Sequence, residues 1–97
     1  MSERARIDSW LWHARFFRSR IHAQAAARSG LVRLNGLRIE KAAHGVKPGD
    51  VLTLPRGLDV LAVRVLAVAS RRGPARDAQA LYEIVAAEYL DREPGGS

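Results

Sequence analysis

The stretch Leu31-Val32-Arg33-Leu34-Asn35-Gly36-Leu37-Arg38-Ile39 decides the fold. Before it, apolar residues recur at helical spacing; from it onward they alternate. Val32 and Leu34 share one face of an extended segment, and Arg33 takes the other. Asn35-Gly36 follows, and both residues tolerate positive φ, which is the strongest short signal for a tight hairpin. A strand over 31–34 and a return strand over 37–39 are predicted. Burying Val32 and Leu34 turns Arg33 outward, so the core itself aims a cation at solvent.

Upstream, on a wheel of about 100° per residue, Ile7, Trp10, Leu11, Ala14 and Phe17 fall in one arc of about 120°. Asp8 stands where an N-cap belongs, able to take a free backbone N–H. Trp12 and Phe16 are four residues apart on the other side, where they would touch. Two readings of that pair stand: packing on the C-terminal segment, or stacking on bases. Ser19 is the next N-cap, and a second helix is predicted over 20–29, with Gly30 closing it in the left-handed conformation. Ala23, Ala26 and Ala27 give it a narrow apolar face. Arg20, Gln24 and Arg28 line another side, either as a solvated face or as a row of phosphate donors.

Downstream, Lys47-Pro48-Gly49-Asp50 reads as a turn and Val51–Leu54 as a short strand. Leu61, Val63, Val65 and Ala67 form one apolar strand face, with Arg64 opposite. Arg71-Arg72-Gly73-Pro74 breaks that strand. Pro74 suits a helix start, and 75–90 is expected to be mostly helical. The tail 93–97 is expected to be disordered. Helices first and strands second predict an α+β fold in a single domain over 1–92, with no internal repeat.

Charge narrows the function. The 97 residues hold sixteen Lys and Arg against ten Asp and Glu, a net charge of +6, and the isoelectric point is about 11.0. Residues 4–38 carry eight Arg and one acid, whereas 77–97 carry one Arg and five acids. The first segment reads as a dock for nucleic acid, for an acidic protein or membrane surface, or as a merely solvated face. Arg grips phosphate through a planar two-bond fork. The absence of cysteine excludes a disulfide scaffold and a thiolate metal site. No apolar stretch is long enough to cross a bilayer; the longest, 60–69, is broken by Arg64. The opening Met1-Ser2-Glu3-Arg4-Ala5-Arg6 is unlike a signal peptide. A cytoplasmic protein with no membrane contact is expected. His13, His22 and His44 match no metal spacing, and Ser9, Ser19 and Ser29 have no evident triad partners. The carboxylates Asp77, Glu83, Glu88 and Asp91 read as solvating one surface or keeping RNA off it. No enzyme activity, metal, cofactor or small-molecule substrate is expected.

Arg6-Ile7-Asp8-x-Trp10-Leu11-Trp12, Ala14-Arg15-Phe16, Ser19-Arg20, Gly30-x-Val32-x-Leu34-Asn35-Gly36 and Val46-Lys47-Pro48-Gly49-Asp50 together resemble the S4 RNA-binding domain, with a core motif over about 6–54. Trp10-Leu11-Trp12, the block 71–75, and Ala78, Leu81, Tyr82 and Glu83 are similar to its heat-shock protein 15 branch. The resemblance implies an S4-like (αL-motif) architecture: two N-terminal helices packed on a small, mainly antiparallel sheet, with a C-terminal helical segment. It implies a bacterial, non-catalytic, ribosome-associated protein. Its partner would be rRNA of the large ribosomal subunit, with the tRNA of a stalled complex as a second RNA. Its role would lie in rescue of stalled subunits, a stress response. A monomer is expected. By the family pattern Arg6, Arg15, Arg18, Arg20, Arg33 and Asn35 lie at or beside RNA-facing positions. Arg28, Arg38 and Lys41 belong to the same basic surface, and Arg71 and Arg72 either extend it or flank a turn. Asn35 keeps two readings, turn residue alone or an amide that also meets RNA. Ser9 stands where the branch often has Lys. The other two readings are a general structured-RNA or RNA-chaperone module, and a protein-interaction module using the acidic C-terminal segment.

Overall fold

The computed structural model describes residues 4–57, 59–69 and 71–89, and of Arg56, Glu88 and Tyr89 the backbone only. The chain runs β1 (Ala5–Arg6), α1 (Ile7–His13), α2 (Arg20–Arg28), β2 (Arg33–Leu34), β3 (Leu37–Arg38), β4 (Gly45–Val46), β5 (Val51–Arg56), β6 (Asp59–Val65), α3 (Ala75–Gln79) and β7 (Tyr82–Tyr89). An antiparallel sheet has the order β3-β2-β5-β6-β7, and β1 pairs with β4 apart from it. The α+β architecture expected from the sequence is present. The expected tail at 93–97 lies outside the described residues.

The core explains the pattern. Ile7, Trp10 and Leu11 from α1, Ala23 and Ala27 from α2, and Val32, Leu52, Leu54, Val63 and Val65 from the strands pack into one buried cluster. The alanine face of α2 lets α1 lie close, because small side chains shorten the distance between helices. The free N–H groups at the start of α1 are met from outside the helix: Ile7 donates to the His44 carbonyl at 2.7 Å and Asp8 to that of Ala42 at 3.2 Å. The β1–β4 pairing, Ala5 against Val46, fixes that docking. Two-residue strands carry no periodicity, so neither was visible in the sequence.

The hairpin forms as read, with Asn35 at φ 51° and Gly36 at φ 85°. Arg33 faces Arg38 and Leu34 faces Leu37 across it. Ser19 caps α2, accepting from the His22 N–H at 3.1 Å, and Gly30 closes the turn after α2 at φ 80°.

Three expectations need correction. The C-terminal segment is helical only over Ala75–Gln79; Tyr82–Tyr89 is a strand along β6. The free edge of β6 offers unpaired backbone groups, and β-branched Ile84 and Val85 suit a strand. Helix α1 ends at His13, so Phe16 and Phe17 lie beyond it. Arg15 turns the chain there at φ 66°. Trp12 and Phe16 therefore do not pair. Phe16 packs on Trp10 and Tyr82, with ring centroids 6.1 and 4.6 Å apart. Asp8 is not the N-cap, a place taken by Arg6. It lies inside the first turn, and its carboxylate accepts the free Ser9 N–H at 2.7 Å.

Candidate nucleic-acid interface

The α1–α2 junction gathers residues distant in sequence. The left-handed turn at Arg15 throws its side chain toward the 71–73 segment, where Nε and Nη2 donate to the Gly73 carbonyl at 3.2 and 2.9 Å. Nη1 of Arg72 donates to the Arg18 carbonyl at 3.4 Å. Arg20 opens α2, and its Nη2 donates to the Ser9 hydroxyl. Half-buried Trp12 stands at the centre. The guanidinium carbons of Arg20 and Arg72 lie 5.7 and 5.3 Å from its ring centroid, within cation–π range. Arg20 and Arg72 thus share one indole, with Arg15 tied to the neighbouring Gly73 and the Arg18 carbonyl holding Arg72. Arg71 is exposed beside them, and Arg18 is exposed on the junction.

From this end the cations continue along α2. Gln24, one turn after Arg20, helps hold the Asp8 carboxyl in its charged form. Asp8 in turn accepts from Arg6 Nε and Nη2 at 3.1 and 3.0 Å. Burial by itself would raise the Asp8 pKa. Hydrogen bonds from Arg6, Ser9 and Gln24 and the Arg6 charge outweigh it, and hold the carboxyl below its ordinary value. The same pair raises the pKa of Arg6, through the hydrogen bond first and the charge second. Exposed Arg28 ends α2, about 12 Å along the axis from Arg20.

The hairpin supplies the far end. Arg33 and Arg38 are exposed cross-strand partners, and like charges placed so repel. Arg38 leans away onto the α2–β2 link. A Cβ at Gly30 would run into its guanidinium, so a larger residue there would displace the Arg38 side chain as well as strain the positive φ. Glu40 pairs with Arg38 at 3.4 Å. Lys41, with Leu37, Arg38 and His44, borders an open groove of about 490 Å³.

Asn35 is engaged internally. Its Nδ2 donates to Asp50 Oδ1 at 3.1 Å, and its Oδ1 accepts the Val51 N–H at 2.9 Å. The side chain thereby ties the hairpin to the 47–50 turn. Burial would raise the Asp50 pKa, but the Asn35 amide, the Lys47 N–H at 3.0 Å and the Lys47 ammonium at 3.2 Å lower it instead.

Of the expected cations, Arg6 and Arg38 form ion pairs among the described residues. Arg64, on the outer sheet face, pairs with Glu83 across β6 and β7. Ser9 and His13 were not singled out from the sequence as parts of this site. Only the fold brings Ser9 to Arg20 and buries His13 beside Trp12, at 5.4 Å between ring centroids. Burial, then the charges of Arg20 and Arg72, lower the His13 pKa against the Ala69 carbonyl, which favours its charged form. No cluster of metal-ligating side chains occurs among the described residues, and no described helix is long and apolar enough to cross a membrane.

Residues 5–52 match the family model of the S4 domain. The chain is 40% identical over 88 residues to heat shock protein 15 of Escherichia coli, which spans 91% of this chain and 65% of that protein. It is 35% identical over 88 residues to the heat shock protein 15 homolog of Haemophilus influenzae, 91% of this chain and 66% of that one. The chain therefore spans about 65% of the length of these curated relatives. The solved trimeric structure of Vibrio cholerae heat shock protein 15 superposes with a TM-score of 0.81 at 36% identity, covering 87% of this chain and 84% of that one.

Proposed function

Because this chain belongs to the heat shock protein 15 family of S4-domain proteins, we propose that it binds rRNA of the large ribosomal subunit and serves, without catalysis, in rescue or recycling of stalled subunits. The kinship supports an RNA-binding protein. The observation that carries the reading further is the gathering of Arg20 and Arg72 on Trp12 with Arg15 held at adjoining Gly73, three guanidinium groups with no carboxylate paired to them among the described residues. Each is anchored to a neutral acceptor and keeps further N–H groups for phosphate oxygens.

From that end the interface follows α2 to Arg28 and takes Arg6, Arg33, Arg38 and Lys41, with Arg18 and Arg71 at its margin. Asn35 serves first as a bracket for the hairpin, through its Oδ1 and one Nδ2–H, and its second N–H is left over for RNA. Folded RNA is recognised by backbone and shape, because A-form helices hide the major-groove edges. The rRNA of the free large subunit is the principal ligand, and the tRNA of a stalled complex the second. In this reading the protein works in the cytoplasm. One chain suffices to bind, because the arginine cluster is complete within it. The V. cholerae relative was solved as a trimer, and analytical ultracentrifugation of this protein distinguishes the two states.

Sedimentation through a sucrose gradient tests the reading. The protein is expected to travel with free large subunits and to leave them as salt is raised. Co-migration only with intact ribosomes, or binding that survives nuclease, would overturn it.

A further inference from the structure

A small cavity lies between the end of α1 and the 71–81 segment, beyond most of the residues that match the S4 domain. Its volume is about 140 Å³, that of roughly five waters, which suits one flat heterocycle and excludes a base pair. Ala78 and Leu81 give it apolar walls, and His13, Arg71 and Asp77 its polar ones. Gly73 stands at the rim, and its carbonyl is the group that anchors Arg15. The cavity therefore opens beside the arginine cluster.

One polar atom of a lining residue, Nδ1 of His13, is buried without a hydrogen-bond partner. His13 is only 6% exposed. Buried polar atoms are nearly always satisfied, so an orphan in the cavity wall is what a hydrogen-bonding ligand would complete. Asp77 adds a second oddity. A carboxylate beside a phosphate-binding cluster repels RNA unless it accepts hydrogen bonds from it.

On the footing of the RNA-binding reading, we infer that this cavity receives a single unpaired guanine, while Arg15, Arg20 and Arg72 hold the adjoining phosphates. The base presents apolar faces to Ala78 and Leu81. Its N1–H and N2–H groups donate to Asp77, and O6 and N7 accept from Arg71, the fork-and-edge match that arginine makes with guanine elsewhere. His13 Nδ1 lies beside that polar edge. The protein thus selects folded RNA that carries an extruded nucleotide over an uninterrupted stem.

Three hairpin RNAs test this, identical but for a perfect stem, one bulged guanosine or one bulged uridine. Affinities are read by fluorescence anisotropy at fixed salt for the wild type and Asp77→Ala, whose exposed side chain makes the variant a safe one for folding. The wild type is expected to prefer the bulged guanosine by about tenfold, the worth of one good hydrogen bond to a charged group. Asp77→Ala is expected to lose that preference while binding the perfect stem within about twofold of the wild type. Equal wild-type affinity for all three RNAs, or for the two bulges, overturns the guanine site and leaves the RNA-binding reading standing. Binding of none overturns both. Asp77→Ala that tightens all three alike makes Asp77 a mere repellent, and the assignment fails.

Discussion

Asp8 and Asp50 are buried carboxylates kept charged by donors on every side. Both have folded-state pKa values below the ordinary 3.8. Each therefore stabilises the fold at neutral pH, and that contribution is lost as pH falls below about 4 toward the folded value. His13 adds a loss at higher pH. Its folded pKa lies below the ordinary 6.5, so the unfolded chain takes the proton first and stability declines once pH drops under about 6.5. Urea midpoints are expected to fall between pH 7 and 5 and again below pH 4, and His13→Phe is expected to flatten only the first decline. The arginines behave differently. Arg15→Glu combined with Arg20→Glu is expected to weaken RNA binding by about a hundredfold or more, since each change removes a phosphate contact and adds repulsion. Stability should shift by less than about 1 kcal/mol per site, because both side chains are exposed. Filter binding and thermal melts check the two halves separately; unchanged affinity for rRNA would remove these residues from the interface.

At the scale of elements, the hairpin and the turn over 47–50 act as one unit, with Asn35 as the bolt. Asn35→Ala strips a donor from buried Asp50 and an acceptor from the Val51 N–H. Unmet polar groups of this kind cost about 1–3 kcal/mol. The variant is expected to melt earlier yet to bind RNA far better than the double arginine variant. A binding loss as large as that of the double variant, at a temperature where Asn35→Ala is folded, would make the amide a principal RNA contact. Strand β7 teaches a separate lesson. Its residues suit a helix about as well as a strand by composition, and the open edge of β6 decided the matter, with Arg64 and Glu83 meeting across it.

For the whole molecule, the organising feature is the separation of charge. Cations follow α2 from Trp12 to the hairpin, while Arg64 on the outer sheet face is paired with Glu83. A docked RNA displaces counterions from each phosphate that an arginine meets. With three to six such contacts, the slope of log affinity against log salt is expected at about −2 to −5. Arg15→Ala is expected to reduce its magnitude by about one, and a flat titration would point to a protein partner. Local spacing was enough to reveal the two helices, the Asn35-Gly36 hairpin, the inward faces of β2 and β6, and the outward aim of Arg33. All of these follow from apolar periodicity and turn chemistry, which act between neighbours along the chain. The sequence also marked the basic segment, because charge can be counted. Long-range packing alone makes Tyr82–Tyr89 a strand, brings Arg72 and Arg20 to one Trp12, sets Asp8 against Arg6 and ties Asn35 to Asp50. Those contacts join residues far apart in the chain or beyond a helix end. No local spacing encodes them; they exist because burying one core brings distant backbone edges and side chains together.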